Sequence, residues 1–126
     1  LEEVRLEGDG ARLREAAGNL ASNALRHCPP GGHIQVVLEA AEGQARLTVC
    51  NDGPPIPEED LPRLFEPFYR GDKSRSRESG GTGLGLAIVR AAVLAHGGRC
   101  GAENRPGGAA FWLTLPQQLQ EDPKPL

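Results

Sequence analysis

Four polar side chains fall on one side of a predicted helix near the start of this sequence. At 3.6 residues per turn, Asn19, Asn23, Arg26 and His27 lie within an arc of roughly 100° beside an apolar stripe. A single asparagine in such a place usually bonds to water or to the backbone. Two amides with a cation one turn on also suit a ligand, because amide oxygens can complete the shell of a magnesium ion that keeps phosphate ligands, while arginine binds those phosphates.

A glycine-rich loop offers a second place for phosphate. The stretch from Gly80 to Leu86 reads Gly-Gly-Thr-Gly-Leu-Gly-Leu and leads into apolar residues at helical spacing. Bare backbone N–H groups and the dipole of a helix N-terminus favour an anion, although such a stretch can equally be a simple turn. Neither a P-loop nor the G-x-G-x-x-G pattern is present. Residues from elsewhere in the chain must therefore help to hold a nucleotide.

Two further segments carry polar or charged side chains that can face this ligand. The turn from Asn51 to Pro57 follows a predicted strand, and loops on a firm scaffold often carry recognition residues. The segment from Arg70 to Gly81 lacks periodicity and is expected to be a mobile loop that becomes ordered with nucleotide. The segment is either a solvated loop or a lid whose cations face phosphate. These cations are Arg70, Lys73, Arg75 and Arg77.

The rest of the sequence predicts the elements that position these residues. Two helices are expected, one capped by Asp9 with its buried face at Leu13, Ala17, Leu20 and Ala24, and one from about Leu84 to His96. Alternating residues predict a strand at Leu1 to Leu6, a hairpin around Gly43, and a second hairpin from Arg99 to Leu115. Between the hairpins a third, short helix is expected over the apolar segment Leu61 to Arg70, which places Phe65 and Phe68 in the core. This order predicts one layer of mixed sheet with helices on one face.

Composition limits the class of protein. The 126 residues are enough for one domain with one core, and a formal charge of −3 gives no general attraction to nucleic acid or anionic membrane. Cys28, Cys50 and Cys100 show neither a disulfide framework nor zinc-ligand spacing. No membrane-length apolar run and no signal-peptide pattern is present. We expect a soluble cytoplasmic domain over residues 1–116, followed by a disordered tail over residues 117–126.

Four segments, taken together and in order, resemble the ATP-binding catalytic domain of bacterial sensor histidine kinases, a branch of the GHKL superfamily. The similarity spans Leu1 to Pro116. The four segments that resemble the N box, the first glycine box, the F box and the second glycine box are Asn19–His27, Asn51–Ile56, Leu64–Arg70 and Gly81–Leu86.

The resemblance implies a fold, ligands and roles for residues. The implied fold is an α/β (α+β) two-layer sandwich of the Bergerat type, with a mixed sheet of about five strands and three helices on one face. ATP and Mg²⁺ are the implied ligands, with Asn23 on magnesium, Asn19 and Arg26 near the phosphates, and these three as the catalytic residues. The other implied nucleotide contacts are His27, Asn51, Asp52, Gly53, Ile56, the lid residues Arg70 and Lys73, and the second glycine box residues Gly81, Thr82, Gly83, Leu84, Gly85 and Leu86.

The implied chemistry is transfer of the γ-phosphoryl group to a histidine on a dimerisation and phosphoacceptor domain, with a response regulator as an indirect partner. None of His27, His33 or His96 has the sequence context of that acceptor, so the acceptor segment is expected upstream of Leu1. The resemblance also implies an inner-membrane sensor kinase as the parent protein. The domain itself is expected to be monomeric, without membrane or nucleic-acid contacts.

The first glycine box departs from the family pattern, because Asn51 stands where the family has the adenine-binding aspartate and Pro55 replaces a glycine. An amide can accept from adenine N6 and donate to N1, and it can flip to meet guanine. Asp52 is the competing candidate for the base contact. A degenerate nucleotide-binding module and an anti-sigma-type serine kinase are the alternative functions. Hydrolytic relatives carry a general-base glutamate where this sequence has Asn19, which favours phosphotransfer.

Overall fold

The structure is a computed structural model that describes residues 8–69 and 84–117. Two α-helices, a short 3₁₀ helix and four strands follow one another along the chain. In order, they are α1 (Gly10–His27), β1 (Ile34–Ala41), β2 (Gln44–Asp52), the 3₁₀ helix (Leu61–Arg63), α2 (Gly85–Ala95), β3 (Arg99–Arg105) and β4 (Gly108–Pro116). The two longer predicted helices and both predicted hairpins are confirmed.

The four strands form one sheet in the order β1-β2-β4-β3. Every neighbouring pair in it is antiparallel. Asn51 of β2 and Asn104 of β3 both pair with Ala109 of β4. Because directly opposed residues of an antiparallel pair point to the same side of a sheet, these three residues form one row across one face.

The predicted mixed sheet of about five strands with three helices is wrong in its counts for the described part of the chain. Both pairs of consecutive strands are hairpins and β2 pairs with β4 antiparallel, which leaves no parallel neighbour among them. The strand predicted at Leu1–Leu6 lies outside the described residues. The expected short helix is a 3₁₀ helix of three residues, because Pro67 lacks the N–H that a longer helix would need.

The core lies between the sheet and the two helices. Leu20, Val89 and Phe111 are among its buried members, and Phe65 reaches it from the segment after the 3₁₀ helix. Phe68 is 69% exposed, which contradicts its predicted place in the core. Its φ of 62° turns the chain away just after Pro67, and Tyr69 then donates its hydroxyl to the buried Asp60 carboxylate.

The buried face of α1 differs in one member from the prediction. Ala16 is fully buried and Ala17 is exposed. The stripe therefore follows Leu13, Ala16, Leu20 and Ala24, with Asn23 buried beside it. Asn23 thus lies within the packed side of the helix.

The two helices are joined near the start of α1. Asp9 caps the helix as predicted, since its Oδ1 accepts from the backbone N–H groups of Ala11 and Arg12 at 3.1 and 3.2 Å. The N–H of Asp9 donates to His96 Nε2 at 2.9 Å, and His96 Nδ1 bonds the carbonyl of Ala92 in α2 at 2.7 Å. Both ring nitrogens of His96 are therefore used to hold the helices together.

No helix in the described ranges has the length and apolar character that a membrane span needs.

Candidate functional site

The polar side of α1 faces the start of α2. Asn19 donates its Nδ2 to the carbonyl of Gly85 at 3.2 Å, so it joins the two helices directly. Asn23, one turn later, is 3% exposed, and its buried Nδ2 has no hydrogen-bond partner among residues 8–69 and 84–117. Buried amides are normally paired. Asn23 therefore has hydrogen-bonding capacity that its surroundings in the protein leave unused.

Arg26 and His27 occupy the last turn of α1, where both side chains retain contact with solvent. Partial desolvation of the ring, followed by the positive charge of Arg26, lowers the pKa of His27 below its ordinary value. The imidazole is consequently held towards its neutral form. A neutral ring beside a free guanidinium offers one uncharged surface and one cation at the end of this helix.

The end of α1 meets the end of β2 at Gly53. A Cβ on this residue would lie 2.9 Å from the carbonyl oxygen of His27, closer than a real Cβ is found, and the φ of 150° also disfavours a side chain. Glycine at this position therefore lets the first glycine box approach the last turn of α1.

Asn51, on β2 immediately before this turn, has one half of its amide engaged. Its Nδ2 donates to the carbonyl of Asp52 at 2.8 Å. Its Oδ1 is buried and has no partner in the described part of the chain, and the residue is 5% exposed. The opposite amide orientation would bring two oxygens together, so the bond to Asp52 fixes which atom is free. Asn51 thus presents an acceptor and no donor, unlike the two-sided contact expected from the sequence.

Asp52 has other partners. Its Oδ2 accepts from the backbone N–H of His33 at 2.8 Å and lies 3.0 Å from His33 Nδ1. These bonds, the backbone one first, lower the pKa of the Asp52 carboxyl. The side chain remains about half exposed, at 48%. Because side chains alternate along a strand, Asp52 and Asn51 point to opposite sides of the sheet.

The start of α2 supplies backbone groups. Leu84 is the N-cap residue and gives no side-chain hydrogen bond to the first turn. A Cβ on Gly85 would have nothing within 4 Å among the described residues. Leu86, one position on, packs partly against the core. The first turn of α2 thus receives no side-chain cap from its N-cap residue, as at many anion-binding helix ends.

One residue of this region was missed from the sequence. The side-chain amide of Asn104, on β3, bonds both backbone groups of Ile56 in the first glycine box, at 2.7 and 2.8 Å. The two residues are 48 apart in the chain. The only sequence signal was an asparagine on the core-facing side of a predicted strand, which does not identify its partner.

The structure brings the predicted residues of α1, the end of β2 and the start of α2 into one region. Contacts join Asn19 to Gly85 and the carbonyl of His27 to Gly53. The remaining predicted site residues lie outside the described residues: Arg70, Lys73, Gly81, Thr82 and Gly83. The lid prediction for Arg70 to Gly81 also falls there and stays a prediction.

A family model described as "Histidine kinase-, DNA gyrase B-, and HSP90-like ATPase" matches residues 8–119. The chain belongs to this family. A mycobacterial sensor histidine kinase, MprB, has a structure with a TM-score of 0.81 and 36% identity, over 90% of this chain and 77% of that one. Since this match covers most of both chains, the domain is a histidine kinase catalytic domain.

Two other comparisons support this assignment. The sensor histidine kinase CusS of Escherichia coli O157:H7 is 44% identical over 93% of this chain and 24% of its own length. The histidine kinase ThkA in complex with the response regulator protein TrrA gives a TM-score of 0.77 and 33% identity, over 94% of this chain and 32% of that one. The chain thus spans about a quarter of the length of CusS.

Two buried amide atoms in this region of the histidine kinase domain have no partner among the described residues: Oδ1 of Asn51, an acceptor, and Nδ2 of Asn23, a donor. Within residues 8–69 and 84–117, no three His, Cys, Asp or Glu side chains group as metal ligands. An amide ligand together with phosphate oxygens is the arrangement that Mg²⁺ favours in such sites.

Proposed function

We propose that this domain binds Mg-ATP among α1, the end of β2 and the start of α2, and donates the γ-phosphoryl group to a histidine on a phosphoacceptor domain. The observation that carries the proposal is Oδ1 of Asn51, which is buried and unpaired among the described residues. The bond from Nδ2 of the same side chain to the carbonyl of Asp52 holds the amide in one orientation. A buried acceptor without a partner costs free energy in the empty domain. A ligand that donates to it recovers that cost.

Adenine is the base that this acceptor suits. Its N6 amino group donates, whereas guanine presents an acceptor, O6, at the corresponding position. Asp52 is the weaker candidate for the contact, because its carboxylate already accepts two bonds from His33 on the other side of the sheet. We therefore assign the base contact to Asn51, with Gly53 and Ile56 forming the adjoining wall and His27 lying at the edge of the nucleotide.

The phosphates are assigned to the helices. Arg26 supplies a positive charge, and the backbone N–H groups at the start of α2, at Gly85 and Leu86, provide donors beside a positive dipole end. Asn19 holds the two helices at a fixed separation through Gly85. Asn23 would hold Mg²⁺ as its protein ligand, and the ion would neutralise phosphate charge. The lid residues and the rest of the second glycine box, named above, complete this assignment as predictions.

The domain is suited to phosphoryl transfer to a protein more than to hydrolysis. Asn19 occupies the position of a general base but is an amide that already donates to Gly85, so it cannot take a proton from water. In the proposed step the bond between the γ-phosphorus and the bridging oxygen breaks, an imidazole nitrogen of the acceptor gains the phosphoryl group, and ADP leaves. The residues assigned above to the phosphates position ATP, which is the phosphoryl donor.

The proposed partners follow from this chemistry. The acceptor histidine belongs to a dimerisation and phosphoacceptor domain of the same kinase. A response regulator is the proposed next recipient of the phosphoryl group, and the structural neighbour ThkA has been solved in complex with such a protein.

Titration of the domain with a fluorescent ATP analogue tests nucleotide binding. We expect saturable binding that strengthens when Mg²⁺ replaces EDTA, and that unlabelled ATP displaces more effectively than GTP. A domain that is folded but shows no displaceable binding would support the degenerate-module alternative and overturn the proposal. The control is Leu115→Val, at the opposite end of β4 from Ala109, which should bind as the unmodified domain does.

A further inference from the structure

A row of three residues crosses the sheet beneath the proposed base site. Asn51 and Asn104 each pair with Ala109, on β4 between them. Opposed residues share a face, so all three point towards the helices. Ala109 is buried in the core and has a small side chain. The two asparagines therefore lie on either side of a shallow surface formed by Ala109, which we call the floor. The proposed adenine acceptor, Asn51, is on one side of it and Asn104 is on the other.

Asn104 bonds both backbone groups of a single loop residue. Its Oδ1 accepts from the N–H of Ile56 at 2.7 Å, and its Nδ2 donates to the carbonyl of the same residue at 2.8 Å. Both bonds are partly buried. Only a side-chain amide offers an acceptor and a donor at this spacing, so no other side chain can make both bonds in the same way.

The loop has few other ways to be held. Residues 54, 55 and 57 are prolines, which have no N–H, so Ile56 carries the only backbone donor between Gly53 and Glu58. Upstream, the N–H of Gly53 donates to the carbonyl of Gly107 at 3.1 Å; downstream, Asp60 closes a turn onto Pro57 at 2.9 Å. The chain between these two anchors crosses from β2, past β4, to β3. Asn104 holds the midpoint of that crossing.

We propose that Asn104 is a positioning residue that sets the base specificity of the site by fixing the wall of the base pocket at Ile56. The inference rests on the proposed function. The side chain of Ile56 packs partly against the core, and among the described residues Asn104 supplies the hydrogen bonds that its backbone makes. Without that amide the wall is free to move relative to the floor, while the helices that face the phosphates keep their contacts. Loss of the Asn104 amide should therefore weaken contacts to the base and leave contacts to the phosphates unchanged.

The test compares Asn104→Ala, Asn104→Asp and the control Leu115→Val with the unmodified 126-residue chain. Leu115 pairs with Ala45, six residues along β4 from Ala109, which is about 20 Å at the rise of a strand. Leu115→Val removes one methylene from the core and leaves the loop contacts unchanged. Calorimetric titrations with ATP, adenosine and GTP, each with Mg²⁺, measure the affinities. They are made at a temperature well below the melting temperature of every variant.

We expect Asn104→Ala to weaken ATP and adenosine by the same factor, about tenfold for the loss of the fixed wall, and to reduce the preference for ATP over GTP. Asn104→Asp keeps the acceptor for the N–H of Ile56 but loses the donor, so it should lie between Asn104→Ala and the unmodified chain. Hydrogen exchange at the N–H of Ile56 should accelerate in Asn104→Ala. Leu115→Val should change none of these ratios.

Three outcomes would overturn the inference, and they differ in meaning. If the unmodified chain prefers ATP to GTP and Asn104→Ala keeps both affinity and preference within about twofold, Asn104 does not position the base pocket, and the proposed function stands. If the unmodified chain binds neither ATP nor adenosine, the proposed function fails and this inference fails with it. A loss that is larger for ATP than for adenosine would place the effect of Asn104 on the phosphates and also contradict the inference.

Discussion

Replacing Asn51 with alanine should reduce nucleotide affinity while leaving the empty domain nearly as stable as before. The substitution removes one hydrogen bond, from Nδ2 to the carbonyl of Asp52, which contributes about 1 kcal/mol. It also removes a buried acceptor without a partner, whose burial costs about 1 to 3 kcal/mol. The two effects oppose each other, so the free energy of unfolding without ligand should stay within about 2 kcal/mol of its original value.

The effect on binding has no such compensation. In the complex, Asn51 Oδ1 accepts from adenine N6, and deleting a buried contact of this kind costs about 1 to 3 kcal/mol, or roughly 5- to 150-fold in affinity. Urea unfolding without nucleotide measures the stability, and calorimetric titration with Mg-ATP measures the affinity. Asn51→Ala that loses several kcal/mol of stability but binds ATP normally would show that Asn51 is a structural residue.

The orientation of the amide makes a further difference measurable. A flip of Asn51 to meet guanine would break its bond to the Asp52 carbonyl and bring two oxygens together. Preference for ATP over GTP should therefore be as strong in the unmodified domain as in Asn51→Asp, which also presents only an acceptor. A gain of about tenfold or more in preference for Asn51→Asp would show that the native amide flips. Preference lost only in Asp52→Ala would assign the base contact to Asp52.

Three other predictions concern neighbouring groups. Asn23→Ala should weaken ATP binding with Mg²⁺ more than without it, because the amide is the proposed metal ligand; equal losses in calorimetric titrations would contradict that role. Arg26→Ala should reduce affinity for ATP more than for adenosine, since its partner is phosphate; equal losses would contradict that assignment. Bonds from His33 lower the pKa of Asp52. The stability that this pair contributes should therefore be present above the ordinary carboxyl pKa and be lost as the pH falls towards the lowered pKa of Asp52. Acid unfolding curves that coincide for Asp52→Asn and the unmodified domain would refute this contribution.

Local periodicity was sufficient to predict most of the fold. The cap at Asp9, the helices and the two hairpins depend on neighbouring residues, and the structure has them. The orientation of Phe68 could not be predicted in this way, because its positive φ follows from a turn that the sequence pattern does not reveal. The direction of the predicted first strand depends on Leu1–Leu6, which lie outside the described residues.

The candidate site was predicted in its residue types but not in its connections. Asn19, Asn23 and Asn51 were selected from their spacing and from the resemblance, and the structure places them around one region. The role of Asn104 depends on contacts between residues 48 positions apart, which no local pattern encodes. The engagement of the Asn51 nitrogen by Asp52 is likewise a property of the folded turn, and it removes the donor that the sequence led us to expect.

Phosphotransfer in trans tests the central claim most directly. The domain would be incubated with Mg-ATP labelled in the γ-phosphoryl group, alone and with the dimerisation and phosphoacceptor domain of its own kinase. We predict that label appears on a histidine of the acceptor as an acid-labile, alkali-stable phosphoramidate, only with Mg²⁺, and that the domain alone gains no label and releases negligible free phosphate. Label on this chain alone, or free phosphate released equally with and without the acceptor, would contradict the proposal.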